Sequence, residues 1–505
     1  MSESPQNALD TLVAKSREIA VLDSCSSLLG WDERTYMPRK GADHRAEQLA
    51  LLAGMSHARL VDPEIGELID TVKNSDLVNG DASDAKVIVR EVGRVYERAV
   101  KVPQSLVEEL TRVTTLAQGV WGEARAKKNY NHFKPMLEKV INLKKQEAEA
   151  VGYKVDPYDA MLDDFEPGAT VAEIDGIFTA HRKELVALLD KIKGSGKEPD
   201  TSIITRQFPI ERQKTFGHEA AAAIGFDFEE GRLDITTHPF CTGIGPGDIR
   251  ITTRYDAHHF PGAFFGTLHE AGHGIYEQGL DSKHFGDPLG EFISLGIHES
   301  QSRMWENMVG RSRAFWTWRY PEAQKTFPEA LKDVSVDDFY FAINDVRPSF
   351  IRVEADEATY NLHILLRFEM ERAFFSGDLT VDDIPGAWNE KFQSYFGITP
   401  PDDAQGCLQD VHWSAGLVGY FPTYALGNLY AAQFFAKANE DLGDLHAQFA
   451  KGEFTPLRDW LRKNIHHHGR RYLATDLVER VTGKPLSPAA LMAYMNEKFG
   501  GLYGF

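Results

Sequence analysis

The stretch "GTLHEAGHGIYEQG", Gly266 to Gly279, follows Pro261 and sets two histidines and a glutamate in one helix-compatible run. Each residue of an α-helix advances about 100°, so His269 and His273 fall about 40° apart on one face and one turn apart along the axis. They are spaced to share a ligand. Glu270 sits about 60° to the side of His273, near enough to reach what both imidazoles hold but poorly placed to be a third donor.

This is the H-E-x-x-H spacing of zinc peptidases. A catalytic zinc takes three protein donors and keeps one position open, so the chain must supply another ligand. "GIHESQSRMWEN", Gly296 to Asn307, follows a loop containing Pro288 and Gly290 and reads as a second helix. Glu299 there is the candidate. His298 is the rival donor, but neighbours on a helix point about 100° apart, so only one of the two faces the metal. Glu299 is preferred, because two imidazoles and a carboxylate leave zinc an acidic water and an open position. The same donor set suits cobalt or manganese.

Just upstream, between about Arg232 and Tyr255, "RLDITTHPF" and "DIRITTRY" alternate and are β-branched around the turn-rich "TGIGPG". A β-hairpin or small sheet beside the metal helix is predicted. Those glycines are turn residues and not a phosphate loop, since no Lys-Ser/Thr ending follows. Elsewhere helical periodicity dominates, with helices predicted from Leu9 to Leu22, Asp43 to Leu60, Ala85 to Val100 and Ser105 to Lys127. "TVAE", Thr170 to Glu173, is a capping box that opens another helix. "KGSGKEPDTS", Lys193 to Ser202, reads as a loop and not as a domain boundary.

The 505 residues, 26% charged and 42% hydrophobic, describe a globular chain with ample length for a large core. A net charge of −20 makes nucleic acid and anionic membrane surfaces poor partners. "MSESPQNALD" lacks the pattern of a secretory signal, so a cytoplasmic location is expected. Val411 to Ala436 holds no Asp, Glu, Lys or Arg, but its glycines, Pro422 and polar residues mark buried core and not a membrane span. Cys25, Cys241 and Cys407 are odd in number and far apart, which argues against a disulfide framework; buried, inert thiols are expected at Cys241 and Cys407. The adjacent histidines of "NIHHHGRRY", Asn464 to Tyr472, point in different directions on a helix, so that stretch reads as a surface or core feature.

Taken in order, "HPF" (238–240), "DIRIT" (248–252), "HEAGH" (269–273), "HESQ" (298–301), "IRVEAD" (351–356) and "GCLQDVHW" (406–413) resemble the signatures of the carboxypeptidase Taq family of metallocarboxypeptidases. "WDERTYMP" (31–38) and "NIHHHGRRY" are similar to it as well, so the resemblance spans nearly the whole chain and favours a single domain over 1–505. It implies a mainly α, groove-containing, neurolysin-like metallopeptidase fold with a small β-sheet beside the active site. It also implies a homodimer that removes single residues from peptide C-termini. Carried over by position, His269, His273 and Glu299 match the metal ligands and Glu270 the catalytic glutamate.

The expected chemistry is peptide hydrolysis by a metal-activated water with Glu270 as general base. His412 or Tyr420 is expected to donate a hydrogen bond to the developing oxyanion. An exopeptidase must also hold a free carboxylate, a task that suits an arginine fork. Arg250 is the first choice and Arg352 the second, with Asp248 and Asp356 as obvious ion-pair partners. His238, Gln409 and Asp410 are expected to orient metal ligands. An oligopeptidase cutting internal bonds is the nearest rival function. A helical scaffold with structural zinc is disfavoured, because such a site needs no base at Glu270.

Overall fold

The computed structural model describes residues 4–80 and 83–505. Helices carry most of the regular structure, as the periodicity predicts, and their ends follow local chemistry. Thr170 and Glu173 form both halves of the capping box that opens the Val171–Gly194 helix. The Phe260–Glu277 helix takes Pro261 into its first turn, where a missing N–H leaves no bond unmade. The Ser294 hydroxyl accepts from the Ile297 N–H and opens the Leu295–Arg303 helix. The helices Ala42–Leu60, Asp84–Lys101 and Gln104–Ala126 lie within a residue of their predicted bounds.

Two compact units make up the chain, each assembled from separated stretches. The first comprises 1–100, 199–343 and 434–484; the second comprises 101–198, 344–433 and 485–505. Within the Lys193–Ser202 stretch, residues 195–200 form a loop between the Val171–Gly194 helix and the turn at Thr201–Thr205, and one change between the compact units falls there, after Glu198. No helix among the described residues is long and apolar enough to cross a membrane.

In the first unit three strands form one sheet in the order β1 (Gly231–Ile235), β3 (Asp248–Thr253), β2 (Cys241–Gly245). β2 and β3 pair antiparallel, whereas β1 runs parallel to β3 with Leu233 opposite Ile251. The "TGIG" predicted as turn is mostly strand. Only Pro246 and Gly247 bridge β2 and β3, and Gly247 supplies the positive φ that such a turn needs.

An aromatic core anchors the first turns of the Phe260–Glu277 helix. The Phe260 ring lies 5.0 Å from Phe208 and 5.1 Å from Phe264, and Phe264 lies 5.3 Å from Trp316, all buried. Each such side chain contributes roughly 1.5–3 kcal/mol of burial. Two glycines of the same helix set how closely its neighbours approach. A Cβ at Gly274 would come within 2.5 Å of the Phe226 ring and 3.2 Å of Ile251 on β3. At Gly272 it would lie 2.7 Å from the Gln301 carbonyl oxygen and 2.7 Å from Ser302 Cα, backbone atoms of the Leu295–Arg303 helix. Gly272→Ala gains about 1 kcal/mol in helix propensity. The enforced separation of two backbones costs more, so a net loss of about 1–2 kcal/mol is expected, read as a lower urea midpoint.

The second unit is organised on the Tyr360–Ser376 helix, which is buried nearly all round and carries Arg367 and Glu371 inside. Glu371 accepts from the Trp413 indole N–H at 2.7 Å, the Gly419 N–H at 3.0 Å and the Tyr158 hydroxyl. Those bonds pin the 413–419 loop to the helix.

Candidate active site

The Phe260–Glu277 and Leu295–Arg303 helices, close-packed at Gly272, bring His269, His273 and Glu299 together. Their donor atoms lie within 4.8 Å of one another. Glu299 Oε2 is 3.6 Å from His269 Nε2 and 3.4 Å from His273 Nε2. Donors about 2.0–2.1 Å from a tetrahedral ion stand about 3.3–3.4 Å apart, so the set fits a divalent metal with little movement. Glu270, on the same helix, is buried beside them.

Each donor is held from behind. Glu306 Oε2 accepts from His269 Nδ1–H at 2.9 Å, which leaves Nε2 as the lone-pair nitrogen. His273 Nδ1 meets His298 Nδ1 at 2.5 Å, and His298 Nε2 meets Glu277 Oε1 at 2.7 Å. Arg303 Nε donates to Glu299 Oε1 at 2.7 Å and its Nη1 to Glu306 at 3.2 Å, while Ser302 Oγ donates to Glu299 Oε2 at 2.9 Å. His298 therefore faces His273, not the point where the three donors converge. Glu306 lies in a π-helical stretch, Met304–Gly310, that extends the ligand helix.

The charges set unlike proton affinities. Burial pushes the Glu270 carboxyl up to about 7, opposed by His269 and reinforced by Glu299 and Glu306. Burial also drives His273 down to about 3, with His298 adding to the effect. His269 rises in spite of burial, because Glu299 and Glu306 favour its charged form. Burial raises Glu299 and Glu306, but Arg303 and His269 outweigh it and hold both well below the usual carboxylate range.

Other residues singled out in the sequence lie in two groups. In the first unit, Arg250 on β3 makes a two-point bridge to Asp248, both bonds 2.8 Å, and stacks 4.2 Å from the Trp31 ring. His238 is exposed in the bend between β1 and β2. Cys241 on β2 is held protonated by burial and then by Glu277 and Glu270. In the second unit, Arg352 pairs with Asp410 at 2.9 Å and not with Asp356. Asp356 is occupied by the N–H groups of Arg347, Ala358 and Thr359. Gln409 accepts from the Arg352 N–H at 2.8 Å. Gln409 and Asp410 are therefore engaged with Arg352 and not with His269, His273 or Glu299, as had been expected of them; the side chains that back the two histidines are Glu306 and His298. His412 is packed 4.4 Å from the Phe421 ring and 5.4 Å from Tyr420; burial holds it near 4, neutral at ordinary pH.

Sequence reasoning missed Glu306, Arg303 and Glu277, although the signal was present. Glu299, Arg303 and Glu306 repeat at i, i+4 and i+7, one helical face, and Glu277 stands one turn beyond His273. In "NIHHHGRRY", Ile465, His466 and Gly469 are buried while His467 is exposed. His466 Nε2 meets the Gln301 side-chain oxygen at 2.9 Å, its ring lies 4.9 Å from Tyr276, and Arg470 Nε donates to the Phe292 carbonyl at 3.0 Å. His466 thus bridges the Phe260–Glu277 and Leu295–Arg303 helices.

The family model for carboxypeptidase Taq (M32) metallopeptidases matches residues 11–499. Thermostable carboxypeptidase 1 of Thermus thermophilus is 50% identical, over 99% of this chain and 100% of that protein. Carboxypeptidase 1 of Bacillus subtilis is 43% identical, over 96% and 97%. The crystal structure of the M32 carboxypeptidase of Deinococcus radiodurans superposes with a TM-score of 0.95 at 40% identity, covering 99% of this chain and 100% of that one. The protein is a peptide hydrolase, a metal-dependent carboxypeptidase. It belongs to the carboxypeptidase Taq (M32) metallopeptidase family, which implies a divalent metal.

Proposed function

We propose that this carboxypeptidase uses zinc, held by His269 Nε2, His273 Nε2 and Glu299 Oε2, with Glu270 as general base. The observation that carries the reading is the convergence of those three donors with a second carboxyl buried beside them. A divalent cation bound there lowers the pKa of water and polarises a carbonyl oxygen. Glu270 takes the proton from the attacking water and delivers it to the leaving amine, a task suited to a carboxyl raised toward neutrality. Glu306 and His298 keep both imidazoles in the tautomer that leaves Nε2 free.

Arg250 is proposed to recognise the free C-terminal carboxylate, supported by its place on β3, which packs against the metal helix, and by a fork that Asp248 and Trp31 hold fixed. Arg352, His238, His412 and Tyr420 are proposed to serve the same reaction: Arg352 and His238 in substrate binding, His412 and Tyr420 as donors to developing negative charge. Arg352, His238 and His412 are supported by membership of the family's motifs, and Tyr420 by its ring lying 5.4 Å from His412. Cobalt or manganese can occupy the same donors. The chain is further proposed to act as one domain over 1–505 in a cytoplasmic homodimer, with support from a family match that runs through both compact units.

The test is mass spectrometry of a short peptide incubated with zinc-loaded protein, beside the same peptide amidated at its C-terminus. Stepwise loss of single C-terminal residues, stopped by the amide and by a chelator, is expected. Internal cleavage of both peptides refutes the carboxylate-binding reading.

A further inference from the structure

We infer that Glu277 is a positioning residue for the metal, acting through His298 on His273. This rests on the reading of His273 as a ligand and assigns a role to two side chains outside the donor set. An ionised carboxylate only accepts hydrogen bonds, so the 2.7 Å contact fixes the proton of His298 on Nε2. A neutral His298 then presents a lone pair at Nδ1. The 2.5 Å contact between the two Nδ1 atoms holds one proton, which must be that of His273. His273 Nε2 is left as a lone pair directed at Glu299 Oε2 and the converging donors.

Two aromatic rings flank His298. Tyr276 lies 5.3 Å from it at a tilt, and Phe292 meets it edge-on at 4.8 Å. Glu277 is backed by Gly243 of β2, where a Cβ would come within 3.2 Å of Glu277 Oε2. The sheet thus closes one end of a chain that runs from carboxylate to imidazole to imidazole. His269 is supported differently, by the carboxylate of Glu306 directly. The two imidazole donors therefore have separate controls, and a change at Glu277 alters His273 alone.

The experiment titrates zinc into the full-length apoprotein in competition with a chromogenic chelator, for wild type, Glu277→Gln, His298→Phe, the double variant and His273→Ala. Loss of a partner behind a ligating histidine typically weakens metal binding about 10–100-fold. Each single variant is expected to show such a loss, with the double variant no worse than either single, because both break the same chain. Histidine ¹⁵N spectra of the wild-type zinc form are expected to show His298 protonated on Nε2 and His273 on Nδ1, a readout that survives if a variant fails to fold. Wild-type affinity in folded Glu277→Gln, or a His298 protonated on Nδ1, overturns the inference. If His273→Ala itself binds zinc like wild type, the ligand assignment has failed instead.

Discussion

Glu270→Gln is expected to lower kcat by about 10²–10⁴-fold, the usual contribution of a positioned general base. The amide keeps the size of the side chain and its place beside the donors, but it cannot take a proton. Zinc affinity should stay near wild type, because Glu270 is not among the three converging donors. KM should change little, since the lost interaction belongs to the transition state. Steady-state kinetics with a metal assay on the same sample checks both halves. Retention of a tenth or more of kcat places the base elsewhere; loss of zinc makes Glu270 a ligand.

The second large effect is on stability. Asp410 is the counter-ion of two buried guanidiniums. Arg352 reaches its Oδ1 with Nε at 3.0 Å and Nη2 at 2.9 Å, and Arg367 reaches its Oδ2 with Nε at 2.6 Å. Burial pushes the Asp410 carboxyl up, but Arg367 and Arg352 together drive it far below the usual range. Its stabilisation is therefore complete above the unfolded value, near 4, and is lost only as pH falls through the lower folded value. Asp410→Ala leaves two like charges buried within reach of the Phe421 ring. A loss of about 3–5 kcal/mol at neutral pH is expected, measured by urea unfolding. A loss under about 1 kcal/mol means that solvent reaches these arginines.

Much of the candidate site was legible because its first members share one short helix. Spacing within a helix is fixed by covalent geometry, so His269, Glu270 and His273 needed no tertiary information. Glu299 was legible for another reason: a catalytic metal requires a third donor, and few carboxylates follow on a helical segment. The sheet declared itself by alternation, though parallel pairing of β1 with β3 is a long-range choice that no local pattern carries. The Arg352 partner was missed because nearness in sequence favoured Asp356, whose oxygens are spent on turn N–H groups. The division into two units depends on which distant stretches pack together, and no composition change marks it.

The bridge formed by His466 has a consequence for how the protein is made. That residue leaves the ribosome well after the ligand helices it joins. At about 5–20 residues per second the delay from Glu299 to His466 is roughly 8–33 s. During that interval the nascent chain already carries His269, His273 and Glu299, but not the side chain that fills the gap at Gly279 between Tyr276 and Gln301. Completion of the candidate site is thereby expected only near the end of translation.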